Sequence, residues 1–173
     1  SLTILLGLSS LLLVAIYPFM KRITWWPQLF LGLAFNFGII LAWVEINNQI
    51  SSIAIILYIA GIFWTLGYDT IYALMDMKDD RIAGIKSSAI YIGNKKIKSF
   101  LTIFYSLTFC LLFYSSLMMN VKWFFWPIFL MFSAQLAWQV FTLKPELSDD
   151  CLQKFKSNSF FGLGVFLCFL FGN

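Results

Sequence analysis

Long apolar runs dominate this chain and restrict it to a membrane fold. Hydrophobic residues make up 61% of the sequence and charged residues 12%, whereas a soluble domain carries about a quarter charged residues. A helix that crosses a bilayer needs about 20 apolar residues. The runs predict six spans, at residues 2–17, 27–44, 51–67, 100–119, 123–143 and 159–172. We therefore expect an all-α, polytopic transmembrane helix bundle that forms a single domain over residues 1–173.

The first run is short for a span and starts at the second residue of the chain. A signal-peptide core is the alternative interpretation, but the run has neither a basic n-region nor a small-residue cleavage site. Because the chain opens with Ser1 and enters apolar sequence at once, we expect its start to lie inside a helix of a longer protein.

Basic residues are distributed unequally between the two sides of the predicted bundle. With six spans, eleven of the 12 Lys and Arg residues fall on one side, and Lys122 alone falls on the other. Such an asymmetry places the basic side in the cytoplasm or its organellar equivalent. The net charge of +4 is therefore a topology signal and gives no reason to infer a nucleic-acid partner.

Four carboxylates follow the third apolar run, where a charge near the hydrocarbon is costly. In a helix, Asp69, Asp76 and Asp80 fall close together around the axis, because seven and eleven residues are both near whole numbers of turns. Asp76 and Asp80 are one turn apart, about 6 Å in rise, so their oxygens can share one hard cation. Tyr72 and Asp79 flank this stripe. Grouped carboxylates favour Mg²⁺ or Ca²⁺, and Mg²⁺ typically completes its shell with water and substrate phosphate.

Basic residues lie close to the acids or at the end of the first span. Arg81 and Lys86 follow the acidic stripe, and acids that hold a cation followed by bases that touch phosphate suit a diphosphate–metal site. Lys21 and Arg22 are typical of a positive-inside flank, and their spacing alone favours this interpretation. They are also typical of an anion-binding corner. Gly84 would let the chain turn back over the site.

Two other charged segments are interpreted as solvated loops. The first contains Lys95, Lys96 and Lys98, and the second comprises residues 144–158, whose charges form no converging stripe. Asn158, at the end of the second segment, is a weaker candidate for the site.

Residues 69–87 resemble the second aspartate-rich motif of the 4-hydroxybenzoate polyprenyltransferases, which belong to the UbiA superfamily of intramembrane prenyltransferases. The family pattern D-x-x-Y-A-x-x-D-x-x-D-D-x-x-x-G-x-K-S is matched at Asp69, Tyr72, Ala73, Asp76, Asp79, Asp80, Gly84, Lys86 and Ser87. The segments Tyr17-Pro-Phe-Met-Lys21-Arg22 and Pro27-Gln28-Leu-Phe-Leu-Gly32 also match, in the right order. The resemblance runs the whole length of the chain, but it corresponds to the C-terminal part of the family, about six of its nine helices.

The first aspartate-rich motif of that family, N-D-x-x-D-x-x-x-D, is absent from this sequence, and so is the N-R-P-L-x-S-G segment that follows it. In the family the two motifs face each other, and each holds Mg²⁺ against the prenyl diphosphate. The sequence is therefore either a fragment of a longer protein or a truncated, inactive one. We expect a fragment that is inactive alone.

The resemblance implies an enzyme of ubiquinone biosynthesis that transfers a polyprenyl group from polyprenyl diphosphate to the ring carbon ortho to the phenol of 4-hydroxybenzoate, with Mg²⁺ as cofactor. It implies Asp76 and Asp80 as metal ligands, with Asp69 and Asp79 as their partners. The other site residues are expected to contact diphosphate or benzoate (Lys21, Arg22, Arg81, Lys86) or to border the aromatic acceptor (Tyr17, Tyr72).

The expected location is the bacterial or mitochondrial inner membrane, with the active-site loops on the cytoplasmic or matrix side and no obligate protein partner. Another prenyltransferase of the superfamily, acting on homogentisate or a haem precursor, is the alternative within the enzyme class. A transporter that binds a cation or relays protons would carry acids throughout the depth of the bundle, whereas all but Glu45 lie on one side. A membrane scaffold would leave the acidic stripe unexplained.

Overall fold

A computed structural model describes residues 2–172, and these residues form helices and connecting turns without any strand. The helices are α1 (Leu2–Ile23), α2 (Pro27–Phe35), α3 (Phe37–Asn47), α4 (Ser52–Ile82), α5 (Ser88–Ile92), α6 (Asn94–Met118), α7 (Phe125–Thr142) and α8 (Ser148–Gly172). The predicted all-α membrane bundle is confirmed.

Within residues 2–172, five segments are long and apolar enough to cross a membrane: α1, the α2–α3 pair, α4, most of α6, and α8. Five of the six predicted spans coincide with these segments. The sixth, α7, is a helix of 18 residues that is not among them. It carries Gln135 and Gln139, whose side-chain amides donate to the Ser157 hydroxyl of α8 at 2.8 and 3.1 Å, and these polar residues lower its mean hydropathy.

The second span is broken into α2 and α3 at Asn36. The Asn36 side chain donates to the carbonyl of Gly32 at 2.8 Å and to the hydroxyl of Thr65 on α4 at 2.9 Å. A break at membrane depth requires such partners within the protein, because lipid offers none. The Asn36 side chain also lies against Gly61 of α4, where an added Cβ would clash with it. The break therefore fixes the α2–α3 pair against α4.

Helix α4 is the central element, since it contacts α2, α3, α5, α6 and α8. Its contact with α6 depends on Gly67, over which the ring of Tyr105 packs so closely that there is no room for a Cβ. Helix α1 has no buried residue and packs mainly along α2 and α3. Helix α4 thus lies inside the bundle, with the α2–α3 pair and α6 packed against it.

The basic connections share one end of the bundle. The backbone N–H of Lys86 donates to the carbonyl of Lys21 at 2.8 Å, which joins the ends of α1 and α4. The Lys98 ammonium donates to the carbonyl of Phe141 at 3.1 Å, which joins the start of α6 to the end of α7. At the opposite end, the N–H of Lys122 donates to Gly172 at 2.8 Å. The arrangement agrees with the predicted grouping of basic residues, and the compartment that this end faces stays a prediction.

The interpretation of residues 144–158 as a solvated loop is wrong, because α8 already begins at Ser148. The Lys154 side chain is buried and forms a 2.9 Å ion pair with Asp150, while its ammonium lies 4.3 Å from the ring centre of Trp138. Asn158 is also buried. Partners inside the bundle, rather than water, satisfy these polar groups. The lysines at 95, 96 and 98 likewise lie in the first turns of α6 and not in a loop.

Candidate active site

A small polar cavity of about 70 Å³ lies at the basic end of the bundle, between α1, α2, α4 and the segment before α5. The structure brings seven of the predicted site residues to its wall: Tyr17, Lys21, Asp69, Tyr72, Asp76, Asp80 and Lys86. Four residues for which no role was predicted also line it: Pro27, Gln28, Ala73 and Ser87. Side chains from three separate parts of the chain therefore converge on one site.

Helix α4 supplies the carboxylates of the cavity. Ser51 caps its first turn by accepting from the N–H of Ala54 at 3.2 Å, and the helix continues without interruption to Ile82. The helical spacing therefore holds through the acidic stripe, and Asp69, Asp76 and Asp80 lie partly buried on the same face. This is the arrangement that the intervals of seven and eleven residues predict.

The end of α1 supplies a tyrosine and a lysine. Tyr17 and Lys21 are one turn apart, so their side chains point from the same face of the helix, and both line the cavity. Arg22, the next residue, is exposed and does not line it. Lys21 and Arg22 are adjacent in sequence, but the helical twist places their side chains on different faces of α1.

The turn after α4 brings Lys86 back to the cavity. Gly84 adopts φ +66°, a conformation that residues with a Cβ rarely take, and the N–H of Ile85 closes the turn on the carbonyl of Asp80 at 2.8 Å. The ammonium of Lys86 then donates to the carbonyl of Ile23 at 3.0 Å and lies 5.7 Å from the ring centre of Trp25. Lys86 is thereby held at the end of α1.

Buried hydrogen bonds attach α5 to the wall of the cavity. The hydroxyls of Ser88 and Thr70 are 2.7 Å apart, and the N–H of Ser88 donates to the side-chain oxygen of Gln28 at 3.3 Å. Ser87 caps α5 by accepting from the N–H of Ile90 at 3.4 Å. Both Gln28 and Ser87 belong to segments that carry the family resemblance, which is the signal by which they could have been found.

Three predicted site residues lie outside the cavity wall: Arg22, Asp79 and Arg81. All three are exposed. The guanidinium of Arg81 points back along its own helix, 3.7 Å from the sulfur of Met77. These three residues point away from the cavity because they lie on other faces of α1 and α4 than the lining residues do. Their predicted roles stay predictions.

The cavity combines three carboxylates with two ammonium groups. Among the described residues, neither Lys21 nor Lys86 forms an ion pair with a carboxylate. Within residues 2–172 no three acidic or sulfur ligands come together as a complete metal site. Asp76 and Asp80 nevertheless provide the hard oxygen donors that suit Mg²⁺, which needs only one or two carboxylates from a protein. The cavity can therefore accommodate a ligand that bridges acids and bases.

A second, larger cavity of about 710 Å³ lies beside the amino-terminal half of α4, between α3, α4, α6 and α8. Its wall is largely apolar, with Trp43, Trp64 and Phe161 among its residues. The Asn36 side chain at the helix break is one of its few polar wall groups. This cavity suits a long apolar group and offers little to a charged one.

The chain is similar to curated proteins named 4-hydroxybenzoate polyprenyltransferase, mitochondrial. It is 43% identical to the Arabidopsis thaliana protein over 162 residues, which cover 93% of this chain and 40% of the relative. The Bos taurus protein is 41% identical over 172 residues, 99% of this chain and 46% of the relative. The 4-hydroxybenzoate octaprenyltransferase of Francisella tularensis subsp. mediasiatica is 42% identical over 165 residues, 95% of this chain and 58% of the relative.

The chain spans about half the length of the curated relatives it matches. No solved structure matches it. The family model described as the UbiA prenyltransferase family matches residues 1–167, which include every residue of the polar cavity. The resemblance carried by the aspartate-rich segment is therefore confirmed, and the chain belongs to the UbiA prenyltransferase family.

Proposed function

We propose that this chain carries the second half of the active site of an enzyme that transfers a polyprenyl group from polyprenyl diphosphate to the aromatic ring of 4-hydroxybenzoate, with Mg²⁺, in ubiquinone biosynthesis. The observation that supports the proposal is the convergence of Asp69, Asp76 and Asp80 with Lys21 and Lys86 on one cavity. The names of the relatives supply 4-hydroxybenzoate and the polyprenyl group, and the diphosphate is what the family resemblance implies.

Asp76 and Asp80 would hold Mg²⁺, which takes up the charge that develops on a departing diphosphate. The ammonium groups of Lys21 and Lys86 donate to its phosphoryl oxygens, since hydrogen bonds between ionised groups are the strong ones. Lys86 is already fixed by its bond to the Ile23 carbonyl, so little ordering is needed when the ligand binds. Asp69 lies deeper on the same face and completes the acidic wall.

The aromatic residues at the cavity suit the acceptor. Tyr17 and Tyr72 line it, and the ring of Tyr72 is supported by Phe155, with the ring centres 5.0 Å apart. A flat acceptor ring packs well against such side chains. The loss of diphosphate leaves an allylic cation, and an apolar bundle excludes the water that would quench it. The large apolar cavity beside Trp64 is the proposed place of the prenyl tail.

We propose further that residues 1–173 act together with N-terminal helices like those of the longer relatives, because the opposing aspartate-rich motif is absent from this sequence. The whole protein would be a multi-pass protein of the bacterial or mitochondrial inner membrane, with its basic end in the cytoplasm or matrix. Its partners would be the two substrates and the lipid bilayer, with no obligate protein partner.

The test is a prenyl-transfer assay in membranes that contain this chain and, co-expressed, the N-terminal helices of the Francisella relative. Polyprenyl diphosphate and 4-hydroxybenzoate are supplied with Mg²⁺ or with a chelator, and homogentisate is tested in parallel as the acceptor. Prenylated 4-hydroxybenzoate that forms only with Mg²⁺ is the expected result. Product formation in the presence of the chelator would contradict the role of the metal, and a preference for homogentisate would contradict the acceptor.

A further inference from the structure

Gln28 is a buried polar residue at the cavity whose hydrogen-bonding capacity is only partly used. It is the second residue of α2 and the residue is 3% exposed, yet it lines the cavity that contains Asp69, Asp76 and Asp80. A glutamine amide offers one oxygen acceptor and two N–H donors. Among the described residues, the fully buried polar atoms without a partner belong to Ser133 and Gln135 and not to Gln28, so the unused part of the Gln28 amide is open to the cavity.

The orientation of the Gln28 amide follows from its neighbour Ser88. A backbone N–H only donates, so the atom that receives the Ser88 N–H at 3.3 Å is the side-chain oxygen, Oε1. Ser88 is itself held by Thr70, with the two hydroxyls 2.7 Å apart and both residues fully buried. The carbonyl end of the amide is therefore fixed toward α5, and Nε2 is the end that remains.

The Nε2 group of Gln28 has no acceptor among the residues that the structure describes. Three carboxylates line the same cavity, but none of them receives a hydrogen bond from it. Oε1 already accepts the Ser88 N–H with one of its two lone pairs, whereas neither N–H of Nε2 is used within the described residues, so Gln28 offers a ligand a neutral donor. A group that accepts this donor must enter the cavity from outside the chain.

We propose that Gln28 Nε2 donates a hydrogen bond to an anionic oxygen of a bound substrate, and that Gln28 is a substrate-binding residue of this site. The inference rests on the proposed function, in which both substrates carry such oxygens: the phosphoryl oxygens of the polyprenyl diphosphate and the carboxylate of the aromatic acid. A neutral donor adds directional selection to the charge of Lys21 and Lys86, because it requires an acceptor at a defined position.

Two substitutions separate this role from a structural one. Gln28→Glu keeps an oxygen for the Ser88 N–H but replaces the free donor by an acceptor, whereas Gln28→Met removes both functions at similar length. Thr70→Val is the matched control: it removes the hydroxyl that holds Ser88, nearly preserves side-chain volume and does not touch the cavity. For each protein, kcat and KM for both substrates are measured in the co-expression assay, together with the midpoint of thermal unfolding in detergent.

We expect Gln28→Glu and Gln28→Met to raise the KM of one substrate by about 10- to 100-fold, as the loss of a hydrogen bond to a charged group predicts. A rise for polyprenyl diphosphate identifies a phosphoryl oxygen, and a rise for 4-hydroxybenzoate identifies the carboxylate. Thr70→Val should lower the unfolding midpoint and leave both KM values unchanged.

Unchanged KM values in both Gln28 variants would overturn the inference alone, since product formation by the wild type would leave the proposed function standing. An equal rise of KM in Thr70→Val would also overturn it, by showing that the effect comes from displacement of α5. If the wild-type pair formed no product, the proposed function and the inference would both be overturned.

Discussion

The backbone N–H of Lys86 donates a 2.8 Å hydrogen bond to the carbonyl of Lys21. This contact joins the turn after α4 to the end of α1, and both lysine side chains lie on the cavity wall. The carboxylates on α4 need only a regular helix, but the cations depend on a contact between distant parts of the chain. We therefore expect substitutions in this turn to disturb the positions of the two lysines more than those of the carboxylates.

Gly84→Ala should destabilise that turn, because Gly84 adopts φ +66° and a residue with a Cβ pays about 1 kcal/mol or more for this conformation. There is open space around the position, so the cost is conformational and not steric. We expect a lower unfolding midpoint in detergent and weaker binding of inorganic pyrophosphate. Gly38→Ala is the control, since Gly38 lies in α3 with open space around it and no positive φ. An equal loss of stability in both variants would contradict the account.

Asp76→Ala and Asp80→Ala should each nearly abolish Mg²⁺-dependent prenyl transfer in the co-expression assay. Each change removes one of the charges that would hold the metal. Membrane insertion should stay intact, because the substitution adds no polar group to the bilayer. The measurements are product formation and the amount of the chain in the membrane fraction. Near-normal turnover in either variant at ordinary Mg²⁺ concentration would refute the assignment.

Lys95→Ala and Lys96→Ala are expected to have little effect on turnover. Both residues are exposed in the first turn of α6 and neither lines the polar cavity. Their charge is predicted to serve orientation in the membrane, and nine of the eleven basic residues on that side remain if both are replaced. Turnover should stay within about twofold of wild type, because surface substitutions away from a site usually have small effects. A large loss with normal insertion would place these lysines at the substrate.

Asn158→Ala should destabilise the bundle although Asn158 lies away from the acids. Its side-chain oxygen accepts from the indole N–H of Trp64 at 2.9 Å, and its amide donates to Gln139 at 3.3 Å. The substitution leaves the Trp64 indole N–H without its acceptor, whereas the Gln139 oxygen keeps its bond from the Tyr105 hydroxyl at 2.7 Å. The cost should be about 1 kcal/mol, as for other interhelical bonds in membranes. Asn47→Ala is the control, since Asn47 is exposed and bonds only to Trp43 within its own helix. The measurement is the midpoint of thermal unfolding in detergent. An equal fall in the Asn158 and Asn47 variants would contradict the structural role of Asn158.

The sequence predicts best those features that depend on one helix at a time. Apolar runs predict the spans, and helical spacing predicts that Asp69, Asp76 and Asp80 share a face, because both properties are local. The same spacing places Asp79 and Arg81 on other faces, which the motif alone does not reveal.

Features that depend on contacts between helices are not predicted. In the first turns of α8 the Lys154 ammonium lies over the ring of Trp138 of α7, and the Gln28 side chain accepts from Ser88, which is distant in sequence. The composition of the segments around Trp138 and Ser88 does not show that these residues contact Lys154 and Gln28. Mg²⁺ and the individual roles of the site residues stay predictions.

Residues 1–173 alone should insert in the membrane but transfer no prenyl group. A diphosphate carries several negative charges, and the single carboxylate cluster at Asp76 and Asp80 can hold only part of the metal that would offset them as the bond breaks. Polyprenyl diphosphate should also bind weakly, because an apolar wall without the proposed N-terminal helices would enclose the prenyl tail incompletely. The measurement compares product formation by this chain alone with that of the co-expressed pair. Robust product from the chain alone would show that one aspartate cluster suffices; product only from the pair would support a site built from two opposing halves.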